Sequence, residues 1–123
     1  MATSAVAEIK QVLADFNRAN GALLSAVISR AGVPMAWNMP SDVHLENFST
    51  LTATLLGASE VLYTGLKRRS PERVVVESPE GTLITVGLGP KAFLVALAPE
   101  ATGAFLEATD SVVASLKEIL KTA

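Results

Sequence analysis

Few residues of this chain have the type and spacing for covalent chemistry. There is one histidine, His44, and no cysteine. His44 lies between Asp42 and Glu46, and an imidazole beside carboxylates is the raw material of general acid–base catalysis. The same residues also describe a surface or interface histidine in the first turn of a helix, which is the plainer reading. Neither HExxH nor GxSxG occurs, so zinc-peptidase and nucleophile-elbow chemistry have no motif to rest on. A lone histidine without thiolates makes a metal site hard to assemble. Gly87-Leu88-Gly89-Pro90 leads from a strand into a turn, not into a helix, and no GxxxxGK stretch is present, so no phosphate cradle is expected. Glu77 and Glu80 flank a turn, while Glu107, Asp110 and Glu118 fall on a helix; solvated faces account for all of them. These residues predict a chain with no catalytic group, no metal and no cofactor.

Two binding features stand out. Trp37 between Met35 and Met39 could line a small-molecule pocket, or it could anchor a core or sheet edge. Lys67, Arg68, Arg69 and Arg73 are four of the ten basic residues in a short stretch. Cations after a helix complement its dipole and solvate a loop; the sharper alternative is a partner-docking patch. With ten basic residues against twelve acidic, the net charge is −2, which gives no general attraction to nucleic acid. Aromatic residues make up 5% of the chain and are not interleaved with basic ones, so a base-stacking platform is not expected.

The elements that must position these residues follow from the hydropathy pattern. At 123 residues the chain is read as a single domain over 1–123, large enough for a real core. Half its residues are hydrophobic and the mean hydropathy is +0.40, which suggests apolar surface buried between chains. No apolar run approaches the roughly 20 residues of a membrane span. Met1 to Ala7 has no basic residue ahead of its apolar positions, unlike a signal peptide. The absence of cysteine excludes disulfides and is compatible with a reducing, cytoplasmic setting.

The stretch that organises the rest is Pro40 to Leu66. Pro40-Ser41-Asp42 reads as a helix start, with Ser41 or Asp42 as cap. From Asn47 to Ser59 there is no charged residue. Wrapped at about 100° per residue, Phe48, Leu51, Leu55, Leu62 and Leu66 form one stripe, widened by Leu45, Leu56 and Tyr63, which predicts the core face. On another face Ser49, Ala53, Gly57, Glu60 and Thr64 line up, mostly small. A glycine inside a helix costs about 1 kcal/mol relative to alanine, so Gly57 asks for a close backbone neighbour. This small-residue face is expected to be a contact surface against the same helix of a second copy, unless the chain's own packing covers it.

Around this helix the chain reads as a first helix from Thr3 or Ser4 to Ala19, strands over Ala22 to Arg30 and Met35 to Met39, then, past the basic loop, strands over Arg73 to Glu77, Thr82 to Leu88 and Ala92 to Ala98. A last helix starts near Ala101. Short turns such as Ser78-Pro79-Glu80-Gly81 make the late strands antiparallel. Apolar residues on both sides of those strands predict a sheet covered on both faces. The fold class is therefore α/β: a three-layer sandwich, order α-β-β-α-β-β-β-α, with the long helix on one face and the terminal helices on the other. The strand with Val74 and Val76 is expected at a sheet edge, where paired copies would bring their long helices side by side.

Local patterns add a resemblance. Gly21-Ala22-Leu23-Leu24 entering Ser29-Arg30-Ala31-Gly32-Val33-Pro34, the helix from Leu45 through Leu56-Gly57, Val74-Val75-Val76-Glu77, Gly81-Thr82-Leu83 and Phe93-Leu94-Val95-Ala96-Leu97 together resemble the roadblock/dynein light chain family from about Ala5 to Leu120. The resemblance implies a five-stranded antiparallel sheet between one helix and two, dimers through the long helix and an edge strand, and no catalytic residues. It also implies a scaffold or regulator of small Ras-like GTPases, or a light chain in a motor or membrane-associated complex. The turn Ala31-Gly32-Val33-Pro34 departs from the family in lacking an acidic residue before the glycine and in carrying Pro34.

The combined reading is a cytoplasmic, non-catalytic homodimeric adaptor that docks a small Ras-like GTPase on its paired long helices, without nucleic acid or membrane insertion. The alternatives are a small-molecule sensor with a pocket near Trp37, a light chain or scaffold subunit of a larger complex, and, weakest, an enzyme using His44 with Asp42 or Glu46.

Overall fold

A computed structural model describes residues 3–100 and 102–122. The proposed cap side chain of Thr3 and the expected helix start at Ala101 lie outside what it describes. Eight elements follow in order: α1 (Thr3–Asn20), β1 (Leu24–Ser29), β2 (Pro34–Asn38), α2 (Leu45–Gly65), β3 (Arg73–Ser78), β4 (Gly81–Gly87), β5 (Ala92–Ala98) and α3 (Gly103–Thr122). The strands form one sheet in the order β2-β1-β5-β4-β3, and every neighbouring pair is antiparallel. The expected fold class is the one observed. Both edges are as expected too: β2 opens on Pro34, which has no N–H to waste there, and β3 lies at the other side.

The alternating side chains of the strands build two cores. On one face Ile9, Leu13 and Phe16 of α1 and Phe105, Val112, Val113 and Leu116 of α3 pack against Val27, Ile84, Leu94 and Ala96. Phe16 and Phe105 meet with ring centroids 5.6 Å apart and planes tilted by 56°, a favoured offset for aromatic pairs. On the other face Leu56 of α2 packs on Ala26, Ile28, Phe93 and Val95. The two layers differ because α1 and α3 together span their face, while α2 contacts mainly β1 and β2. The far half of the second face, at Val74, Val76 and Leu83, has only the margin of that smaller core for cover.

Local signals explain the boundaries. Gly21 ends α1 in the left-handed region (φ 66°), with the Ala22 N–H donating to the Asn17 carbonyl. The Thr102 hydroxyl accepts from the Phe105 N–H at 3.1 Å and starts α3. α2 begins later than expected. Pro40 to Val43 closes a turn, Val43 N–H to Pro40 carbonyl, and the cap is His44, whose Nδ1 accepts from Asn47 N–H at 3.2 Å. Neither Ser41 nor Asp42 caps the helix.

Candidate docking surface

The surface is built on α2, and the structure turns that helix about a quarter turn away from the hydropathy reading, so that its buried side lies between the two expected faces. Ser49, Thr52 and Leu56 are its buried residues. Leu51 is 66% exposed, Leu62 and Leu66 each 61%, and Val61 72%. Of the stripe assigned to the core, Leu56 is buried and Phe48 packs beside it, but Leu51, Leu62, Leu66 and Tyr63 are on the outside; Ser49, assigned to the contact face, is inside its own chain with no exposure at all. Ala53, Gly57 and Glu60 are half-buried beside it, and Thr64 alone of that set is fully open.

The reason is a close approach, found at a different glycine. A Cβ on Gly32 in the β1–β2 turn would sit 3.2 Å from Thr50 Cα and 3.6 Å from Ala53 Cβ, whereas a Cβ on Gly57 meets nothing within 4 Å. Gly32 also has φ 88°. Small residues on α2 therefore let its backbone settle on that turn, and Leu51, Leu62 and Leu66 are left facing out. Side-chain hydroxyls that would otherwise compete with the helix bond back to it: Thr52 to Phe48, Thr54 to Thr50, Ser59 to Leu55 and Thr64 to Glu60.

Glu60 is held within its own chain by a pairing that ties down the later part of α2. Arg30 Nη1 donates to both Glu60 carboxylate oxygens, at 2.7 and 2.8 Å, and Nη2 donates to the Gly89 carbonyl at 3.0 Å. The guanidinium crosses Gly87 so closely that a Cβ there would lie 2.9 Å from Nη2. One arginine after β1 thereby ties α2 to the β4–β5 turn. Sequence spacing gives no sign of it, because Arg30 and Glu60 are 30 residues apart.

Beyond Glu60, residues 61–70 are all exposed. The helix stops at Leu66; Lys67 takes φ 59°, its N–H donating to Thr64 and that of Arg68 to Tyr63, the paired bonds of a Schellman ending. Lys67, Arg68 and Arg69 follow one another in the open. Arg73 is drawn away from them by Asp110 of α3, at 3.4 Å. The four cations are thus three in a turn and one on the far face of the sheet. Val74 and Val76 share the α2 side of β3, opposite Thr85 and Leu83, and Val76 is 41% exposed.

The remaining candidates do not assemble into a reactive site. His44 is an exposed helix cap. Among the described residues no group of three or more His, Cys, Asp or Glu could hold a metal ion. Met35 packs on the α1/α3 core and Met39 on the α2 core, because the register shifts between Val27 and Ile28. Trp37 stands exposed at the edge with Lys10 Nζ 5.9 Å from its ring centroid. The three residues thus do not share one face. Among the described residues no helix is long and apolar enough to cross a membrane.

The geometry defines a class first: a three-layer α/β sandwich whose single-helix layer leaves an apolar flank open. The chain belongs to the Roadblock/LC7 domain family, whose model matches residues 8–98. Three solved structures share the fold. The gliding protein MglB from Thermus thermophilus is 21% identical, with TM-score 0.90, covering 100% of this chain and 96% of that one. MglB of Myxococcus xanthus is 14% identical, with TM-score 0.89, covering 94% and 97%. A Roadblock/LC7 domain from Streptomyces avermitilis is 16% identical, with TM-score 0.83, covering 91% and 97%. At these identities the likeness is one of fold. No curated protein sequence matches the chain.

Proposed function

We propose that this chain, as one roadblock-type module over 1–123, is a non-catalytic homodimeric adaptor or regulator that docks a small Ras-like GTPase on its paired α2 helices. The observation that carries the reading is the outward stripe Leu51, Leu62 and Leu66, exposed on a helix without charge from Asn47 to Ser59. Leu55, half-buried, continues the stripe. Apolar surface gathered in this way, beside the exposed Val76 of an edge strand, marks a protein contact. A twofold axis through the β3 edges would extend the sheet and lay one α2 against the other. The contact set is therefore the leucine stripe with Val74, Val76 and the half-buried Ala53 and Gly57, with Thr64 at its margin. Lys67, Arg68 and Arg69 lie at its end, where they would meet an acidic partner surface. Family membership supports an adaptor role, and a solved MglB has a tetrameric arrangement, which supports self-association in this fold.

The test is to replace Leu51 and Leu62 by glutamate. Both side chains are open to solvent in one copy, so the fold is retained while charge is forced into the contact. Light scattering should fall to the mass of one chain, 12.8 kDa, and capture of a GTP-loaded small GTPase should be lost. A variant that kept the assembled mass and still captured the GTPase would overturn the reading.

A further inference from the structure

On the layer opposite α2, a trough of about 490 Å³ runs between the last turns of α3 and the β4–β5 turn. Met35, Leu88 and Leu120 line its floor, and Lys91, Lys117 and Lys121 its rim. No acidic residue lines it. The neighbouring cavity, which shares Lys117, is different: its Arg30 is matched by Glu60 and its Arg73 by Asp110. Lys91, Lys117 and Lys121 are exposed and form no ion pair among the described residues.

Lys121 complements the α3 dipole in its last turn, but Lys91 and Lys117 have no such reason. Lys117 and Lys121 are also one turn apart on the same helix, where like charges repel. In a chain of net charge −2, three cations with no ion pair among the described residues, set around an apolar floor, make a local potential that an anionic occupant would relieve. We propose that this trough binds an acidic peptide segment of a partner protein, with one apolar side chain on Met35, Leu88 and Leu120 and carboxylates beside Lys91 and the Lys117–Lys121 pair. Methionine on the floor adapts to anchors of different shape. An anionic bilayer is the poorer fit, since a flat surface laid on this layer would also meet the exposed carboxylates of Glu8 and Glu107. The trough uses no residue of α2, so it is independent of the GTPase-docking reading.

The experiment is fluorescence anisotropy of the full chain with an array of short labelled peptides, each carrying a central Leu, Phe or Met flanked by glutamates. Saturable, salt-sensitive binding is expected. Lys117→Glu with Lys121→Glu should weaken it about tenfold, Lys91→Ala should weaken it measurably from the other wall, and serine in place of the apolar residue should abolish it. The Leu51→Glu/Leu62→Glu variant should bind as the parent does. The proposal is overturned if no peptide in the array binds, if the lysine variants bind unchanged, or if the serine peptides bind equally well. Lysine-dependent uptake onto phosphatidylserine vesicles without peptide binding would assign the trough to membrane instead.

Discussion

At the scale of single residues, two glycines exchange the roles their positions suggest. Gly57 sits inside a helix, where glycine is costly, and nothing approaches it. Gly32 sits in an ordinary-looking turn and combines a positive φ with a backbone neighbour, Thr50 Cα, that would lie 3.2 Å from any Cβ placed there. Gly57→Ala should therefore raise the unfolding free energy by about 0.5–1 kcal/mol. Gly32→Ala should lower it by about 1–3 kcal/mol, the usual cost of holding a side chain in a strained backbone region. Urea titrations of the two variants read both effects, and the reverse order would show that α2 is seated differently. Along the chain Gly57 reads as the glycine that needs a close neighbour and Gly32 as a turn residue; the neighbour that reverses this comes from another element.

At the scale of the element, α2 shows how far hydropathy reaches. Its lack of charge and its end near the basic loop are legible, because cation placement depends on residues near in sequence; its start is not, since Pro40 to Val43 closes a turn ahead of the His44 cap. Its rotation is not. Periodicity points the largest apolar residues inward, yet here the inner face is chosen by how closely the backbone must approach the β1–β2 turn, so Ser49 and Thr52 go in and Leu51 and Leu62 stay out. A helix apolar on two sides has no single stripe to read. The same element ends on a lysine where glycine is the ordinary choice: Lys67 holds φ 59°. Lys67→Gly should stabilise the chain by about 0.5–1 kcal/mol, the relief of a left-handed side chain less the added freedom of the unfolded glycine. Thermal melts would show it, and an unchanged or lowered midpoint would mean that the lysine side chain makes a contact of its own there.

At the scale of the whole molecule, the layers have unequal cover. Two helices close one face and one helix half-closes the other, which leaves the stripe on α2 and the edge of β3 side by side. If a second copy supplies the missing cover, unfolding is linked to dissociation, and the melting midpoint should rise with protein concentration. Tenfold dilution series in scanning calorimetry measure this directly. A midpoint independent of concentration, with the mass of one chain, would mean that the apolar flank stands open in solution.

Alternation and local chemistry along the chain are enough to encode eight elements in order, late strands that are antiparallel and apolar on both sides, Pro34 and the Val74–Val76 strand at edges, and a lack of motifs for catalysis. Packing in three dimensions settled the rest: which side of α2 meets the sheet, that Arg30 reaches Glu60 across 30 residues, that Arg73 leaves the basic cluster for Asp110, and that three lysines from a turn and a helix close around Met35, Leu88 and Leu120. Each of these joins residues far apart in the chain, and their meeting is set by backbone approach and strand register, quantities that no window of neighbouring residues contains.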